Sequence, residues 1–436
     1  MVLKLLPHRK RNGWSLYMTF LAETWEKTFG ARESARLLET FGAGDFSELR
    51  PSPKLERVVS KAIEGESVTR EDALYLTELF PKEVPFLLLA ASAIRNRSRG
   101  KTVTYSKNVF VPLTQLCRDR CGYCTFKIEP GEGTLLMTPE DVVDMAEKGA
   151  KAGCTELLFV TGDKPELAYQ VYRDALGEIG YQTTAEYLID MGKTGLEHGI
   201  FPHTNLGLST PEELSEFRKS NPSMGLMLEN ISERLLKRGN AHHGCADKVP
   251  KLRMETMEHA GDLSIPWTSG ILVGIGETFE ERIDSLYALL ELSRRYGHLQ
   301  EIIIQNFNPK EGIKMEEYPP ADFLEMLKTV AISRLVFGGD MNIQIPPNLN
   351  NRNFTFYLTA GINDLGGVSP LTIDYVNPEA PWPQVERMET EVSALGYELR
   401  ERLPVYPEYI DERWIDPYVL GKVRERVDER GYVPVN

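Results

Sequence analysis

A repeated punctuation governs the middle of the chain. Thr138-Pro139-Glu140-Asp141, Thr210-Pro211-Glu212-Glu213 and Thr278-Phe279-Glu280-Glu281 each follow a short apolar run and a loop. A threonine with an acid three residues later is a capping box, in which side chains satisfy the orphan backbone donors of a new helix. Proline at the first helical position strengthens the first two. The strand candidates are Val109–Leu116, Glu156–Thr161, His203–Leu208, Met224–Leu228, Thr268–Val273, Glu301–Phe307 and Asn342–Ile345. Strand followed by helix, repeated, predicts parallel βα units. Seven or eight units in about 265 residues suit a closed barrel. The fold class expected is α/β, a (β/α)8 TIM-type barrel, complete or nearly so, over residues 106–370. A doubly wound open sheet is the alternative, but no Gly-x-Gly-x-x-Gly follows the first strand.

Residues 1–105 read as an N-terminal helical extension. Thr69-Arg70-Glu71-Asp72 is a further capping box, opening a run with Ala73, Leu74, Leu76 and Leu79. Residues 371–436, rich first in proline and then in charged helix formers, read as a C-terminal arm packed on the barrel. A chain of 436 residues, 42% hydrophobic and 26% charged, is globular rather than disordered. Its net charge of -14 argues against partnership with nucleic acid or an anionic membrane. No apolar run is long enough to span a bilayer. Lys4, Arg9, Lys10 and Arg11 before Trp14–Ala22 loosely resemble a signal peptide. The apolar stretch runs straight into Glu23 without a small-x-small site, so it reads as the first helix of a cytoplasmic protein.

Three of the five cysteines, Cys117, Cys121 and Cys124, form C-x3-C-x2-C directly after the first strand. Three thiolates on one tight loop can hold three corners of an iron–sulfur cubane and leave the fourth iron open to substrate. In a barrel that loop lies at the catalytic C-terminal face. Arg118 and Arg120 would offset the negative charge of the cluster. A structural zinc site needs a fourth ligand. Cys154 falls at the opposite face and reads as a small hydrophobe. Cys245, in a loop after His242 and His243, is harder to exclude.

The cysteine spacing, with the aromatic Tyr123 before the last cysteine, resembles the cluster motif of the radical S-adenosylmethionine (SAM) enzymes. The resemblance extends along residues 60–385 to one family, 7,8-didemethyl-8-hydroxy-5-deazariboflavin synthase. It is carried by Tyr105–Thr114, Cys117–Phe126, Thr161–Glu166, Pro202–Asn205, Met227–Glu229, Gly270–Glu277, Gln305–Phe307, Gln344–Leu349 and Gly361–Pro370. The resemblance implies one 4Fe-4S cluster on Cys117, Cys121 and Cys124, with SAM on its fourth iron. Tyr123 would contact adenine. Gly162, Asp163, Lys164, Pro165 and Glu166 would serve the methionine ammonium, or form an ordinary strand-to-helix turn. Glu229 would hold the ribose, or sit at a helix N-terminus favoured by the dipole. Gly274 and Gly276 would let adenine approach the backbone. His203, Thr204, Asn205, Gln305 and Asn306 are candidate substrate contacts, or loop polar groups satisfying backbone; His242 and His243 read as simple loop histidines.

The implied reaction closes the ring of a hydroxybenzyl-ribitylaminouracil adduct, with ammonia loss, into a deazaflavin. It needs a one-electron donor of the flavodoxin or ferredoxin type, and a separate partner radical SAM synthase to supply the adduct. Two rivals stay open. One is another radical SAM enzyme, such as the partner itself. The other is a zinc-structural or iron–sulfur electron-transfer protein. The proton-transfer residue is not assigned.

Overall fold

A computed structural model describes residues 49–435, so the helix expected at Trp14–Ala22 lies outside the described residues. The helices are α1 (Pro53–Ile63), α2 (Arg70–Thr77), α3 (Val84–Arg99), α4 (Pro139–Lys151), α5 (Gln170–Glu178), α6 (Thr184–Glu197), α7 (Pro211–Arg218), α8 (Pro250–Asp262), α9 (Phe279–Tyr296), α10 (Phe323–Phe337), α11 (Phe354–Thr359), α12 (Val385–Ala394) and α13 (Pro417–Arg424). The strands are β1 (Thr102–Thr114), β2 (Glu156–Thr161), β3 (Phe201–Asn205), β4 (Ser223–Gly225), β5 (Trp267–Val273), β6 (Leu299–Asn306), β7 (Asn342–Gln344), β8 (Asp364–Val368) and β9 (Glu398–Arg402).

Strands β1 to β8 pair in parallel and in chain order, and β1 pairs with both β2 and β8, closing the barrel. All four expected capping boxes form, at Thr69, Thr138, Thr210 and Thr278, each with reciprocal bonds to the acid three residues on. A fifth forms at Thr183 with Glu186.

The strands alternate as a pleat requires. On β2, Leu157 and Phe159 face the helices; on β6, Ile302 and Ile304 do. The intervening Glu156, Leu158 and Val160, and Glu301, Ile303 and Gln305, line the barrel's interior. Helices α1 to α3 lie outside the barrel against α9, α10 and α11. Arg70 of α2 pairs with Glu280 and Asp284 of α9.

Two strands go beyond the seven expected. β8 is Asp-Leu-Gly-Gly-Val, and its glycines break the apolar run. β9 is Glu-Leu-Arg-Glu-Arg, and it lies parallel to the first half of β1, below the point where β2 takes over. Arg402 at its end turns into the barrel, 2.7 Å from Asp364 and 3.4 Å from Glu301, with its guanidinium over the Tyr406 ring. Beyond it, Leu403, Val405, Trp414, Ile415 and Val419 pack on Leu196 and Phe201. The C-terminal segment therefore floors the barrel.

Candidate active site

The loop after β1 carries the cysteines over the C-terminal mouth of the barrel. Backbone bonds pin it on several sides. Gly122 N–H donates to the Ala241 carbonyl at 2.7 Å, Met315 N–H to the Gly122 carbonyl at 3.1 Å, and Arg118 N–H to the Asp163 carbonyl at 3.1 Å. A second tie joins the Arg118 guanidinium to the Asp163 carboxylate. The loop after β2 crosses close beneath. A Cβ on Gly162 would fall 1.9 Å from the Leu116 carbonyl oxygen and 2.7 Å from Cys117 Cβ. Only glycine fits this crossing.

The three thiols line one cavity of about 390 Å³, which runs from this mouth down the barrel. Asp163 N–H points at Cys117 Sγ from 3.1 Å and Asp119 N–H from 3.4 Å. Burial nevertheless pushes Cys117 up to about 12, and burial also raises Cys124. Cys121 is raised by its hydrogen bond to Cys245 and then by burial. A cationic metal group would displace these protons, because the thiolate is the ligand. The donor set fits an iron–sulfur cluster: three thiols on one loop and two backbone N–H groups aimed at sulfur.

Cys245 lies closer to this group than a spare cysteine would. Ligand atoms of Asp119, Cys121 and Cys245 lie within 4.8 Å of one another. Cys154 is buried elsewhere, bonding the Asn108 carbonyl, as expected of a small core residue.

Around the mouth runs an ionic chain. Glu229 accepts from Lys248 at 3.0 Å, and Arg253 bonds Asp247 at 2.8 Å. Asp247 N–H reaches Asp119, and its carboxylate accepts from Leu208 N–H at 3.1 Å. Burial opposes the charge of Glu229, but Lys248 and Arg253 outweigh it and hold the carboxyl below its ordinary range. Glu229 adopts φ 62, in the left-handed region that costs a side-chain-bearing residue about 1–3 kcal/mol. Bonds on both sides hold it there, from its N–H to the Gly270 carbonyl and from Leu272 N–H to its own carbonyl. Tyr123 is half-buried against His242, with its hydroxyl 3.1 Å from Nε2. Burial pushes His242 down to about 3, so its ring is neutral. Thus His242, read from sequence as a simple loop residue, orients Tyr123.

The sequence candidates divide into two groups. Tyr123, Gly162, Asp163, Glu229, His203, Asn205, Gln305 and Asn306 line the cavity with the cysteines. Lys164, Pro165, Glu166, Thr204, Gly274 and Gly276 do not. Glu166 instead accepts from the Thr184 hydroxyl and N–H at the start of α6. Thr204 points away to Asn221. Gly274 N–H donates to Glu277, which pairs with Arg282 at 2.7 Å. Sequence reasoning missed Asp119, Asp247, Lys248 and Arg253. Their one available signal is position, on loops after strands or at the helix start that follows.

Residues 111–288 match the radical SAM superfamily. The chain is 46% identical to the 7,8-didemethyl-8-hydroxy-5-deazariboflavin synthase of Methanopyrus kandleri, over 76% of this chain and 99% of that one. It is 42% identical to the FO synthase of Streptomyces avermitilis, over 86% of this chain but 45% of that one. Among solved structures it resembles methylornithine synthase (TM-score 0.63, 19% identity, 78% of this chain and 97% of that one). It also resembles the FeFe-hydrogenase maturase HydG of Carboxydothermus hydrogenoformans (TM-score 0.65, 15% identity, 94% and 93%). These two likenesses speak for the barrel fold alone.

Proposed function

Since the chain belongs to the 7,8-didemethyl-8-hydroxy-5-deazariboflavin synthase family, and so is a radical SAM enzyme of deazaflavin biosynthesis, we propose that Cys117, Cys121 and Cys124 hold its 4Fe-4S cluster and that it closes the ring of a hydroxybenzyl-ribitylaminouracil adduct with release of ammonia. The observation that carries this reading is the three-thiol loop over the mouth of a deep cavity, in a chain that aligns with nearly the whole length of such a relative.

When bound, the cluster and SAM supply a one-electron cleavage that yields methionine and a 5′-deoxyadenosyl radical. The chain's own residues bind and shield. Asp119 and Asp163 N–H groups donate to Cys117 sulfur, which stabilises its thiolate. Asp163, tied to Arg118 and lining the cavity beside the cysteines, would receive the methionine ammonium. Glu229, kept charged by Lys248, accepts from ribose hydroxyls. Tyr123, fixed by His242, packs on adenine. Phe110, Leu158 and Ile303 give the substrate rings a dry wall that limits side reactions of a radical. The electron comes from a flavodoxin- or ferredoxin-type donor. A partner radical SAM synthase supplies the adduct.

Anaerobic reconstitution tests this. The expected result is about four irons per chain, 5′-deoxyadenosine from SAM and reductant, and a fluorescent deazaflavin once the adduct is supplied. 5′-Deoxyadenosine without deazaflavin would move the assignment to another radical SAM substrate. A second reading, a metal ion on Asp119, Cys121 and Cys245, draws on their proximity. It competes for Cys121, so Cys245→Ser separates the two: under the cluster reading the variant keeps its full iron content, and losing the metal would favour the rival.

A further inference from the structure

The centre of a (β/α)8 barrel is ordinarily filled by layers of branched apolar side chains. Here the cavity continues through that level. Below the cysteine loop it passes Phe110, Leu158 and Ile303, and it ends on a polar floor that includes Asn108, Glu156 and His203. The floor is sealed by Arg402, which Asp364 and Glu301 already match. Among the described residues, it therefore offers no unmatched cation to an anionic ligand.

Three side chains that line this space keep accepting capacity to spare. Asn108 is 1% exposed, and its Oδ1 is buried without a partner. Its amide lies across Gly367, where a Cβ would fall 2.1 Å from Nδ2, so a glycine makes room for it. Glu156 is the register partner of Asn108 on β2, buried, with the Ser106 hydroxyl as its hydrogen-bonding neighbour. His203 Nδ1 lies 2.8 Å from Ser223 Oγ, whose own hydrogen goes to the Pro404 carbonyl at 2.8 Å. Ser223 must therefore accept from Nδ1–H, which leaves Nε2 as an acceptor. Nε2 sits beside Gly225, another cavity residue, where a Cβ would come within 3.1 Å of it. Burial pushes His203 down to about 3, consistent with this neutral ring. Burial raises the Glu156 carboxyl toward its neutral form, which still offers an accepting oxygen; acceptors with capacity to spare on such a floor suit a chain of hydroxyls, each with a hydrogen to give.

Resting on the ring-closing reading above, we infer that the substrate stands upright in the barrel, its reacting rings at the cysteine mouth and its ribityl chain on the floor, donating hydroxyl hydrogens to Asn108, Glu156 and His203. No bond of the polyol changes in ring closure, so the polyol belongs at the end of the cavity away from the radical source. The rings then fall between Phe110, Leu158 and Ile303. The floor is a specificity subsite for the polyol.

The test compares the ribityl adduct with a counterpart carrying methyl in place of ribityl, in the reconstituted enzyme. The wild type should show a KM at least about tenfold higher for the methyl compound, with kcat little changed. Asn108→Leu should raise KM for the ribityl adduct about tenfold and leave the methyl compound unaffected; Glu156→Gln should do the same to a smaller degree. A purely structural role would raise both equally. A second measurement needs no turnover: ribitylaminouracil should raise the melting temperature of cluster-free wild type, and less so for Asn108→Leu or Glu156→Gln. Equal KM for both substrates in the wild type, or variants that disturb both alike, would overturn the subsite while leaving the ring-closing reading intact. Failure of the wild type to convert either compound would sink that reading instead, and the melting shift would still decide the floor.

Discussion

At the scale of single residues, the tightest constraint is Gly162. Its Cα passes so near Leu116 and Cys117 that any side chain would push the cysteine loop upward. Gly162→Ala should leave the circular dichroism spectrum of the barrel intact, because the clash is local to two loops. It should abolish most iron uptake, read as iron per chain and cluster absorbance. Full iron loading in the variant would show that the loop can move at little cost. The cysteines were legible as a spaced motif, and Gly162 only through the family resemblance of the Thr161–Glu166 segment. Lys248 and Arg253 were not, because a charge near residue 250 meets Glu229 only once β4, β5 and the following helix are assembled. His242 was undervalued for the same reason: its task is defined by Tyr123, which is 119 residues away.

At the scale of elements, the capping boxes carried the reading of the fold. A cap is written in four adjacent residues and does not depend on tertiary context. Strands with one apolar face were legible too, since β2 and β6 alternate as drawn. β8 and β9 were not. Gly366 and Gly367 in β8 exist to let Gln344 and Asn108 pass, so the strand lacks the apolar residues that announce one. β9 is charged because its inward residue, Arg402, is an ionic plug rather than a core filler. That plug can be tested. Arg402→Met would leave Asp364 and Glu301 buried without their cation, and breaking a buried pair costs about 3–5 kcal/mol. The melting temperature should fall by several degrees, with partial recovery in Arg402→Lys. An unchanged melting temperature would mean that the floor is held by the apolar cluster around Trp414 alone.

At the scale of the whole molecule, the buried titratable groups set a pH window for stability. Burial lowers His203 to about 3 and His298 to about 4, against about 6.5 unfolded. Their contribution to stability is complete above about pH 6.5 and is lost as the pH falls toward 3–4, because the unfolded chain takes up protons that the folded one refuses. Glu301 has the opposite sign. Burial raises it to about 7 despite Arg402, so its contribution is complete below about pH 4.5 and is lost as the pH rises through 7. His242, held by burial at about 3, adds to the histidine side, and Asp163, raised by burial to about 7, adds to the carboxyl side; between pH 4.5 and 6.5 three histidines therefore oppose two carboxyls, and below about pH 4 these histidines act without those carboxyls. The cluster-free protein should therefore be most stable near neutrality and lose stability on the acid side with increasing slope. His298 isolates the effect, since it lies at the foot of β6, away from the cysteines, packed edge-on to Tyr296. His298→Gln removes one titration and should flatten the acid limb of denaturant-derived stability by about 1.4 kcal/mol per pH unit. Limbs of equal slope in variant and wild type would mean that His298 is protonated in the folded state, and that this part of the barrel admits water.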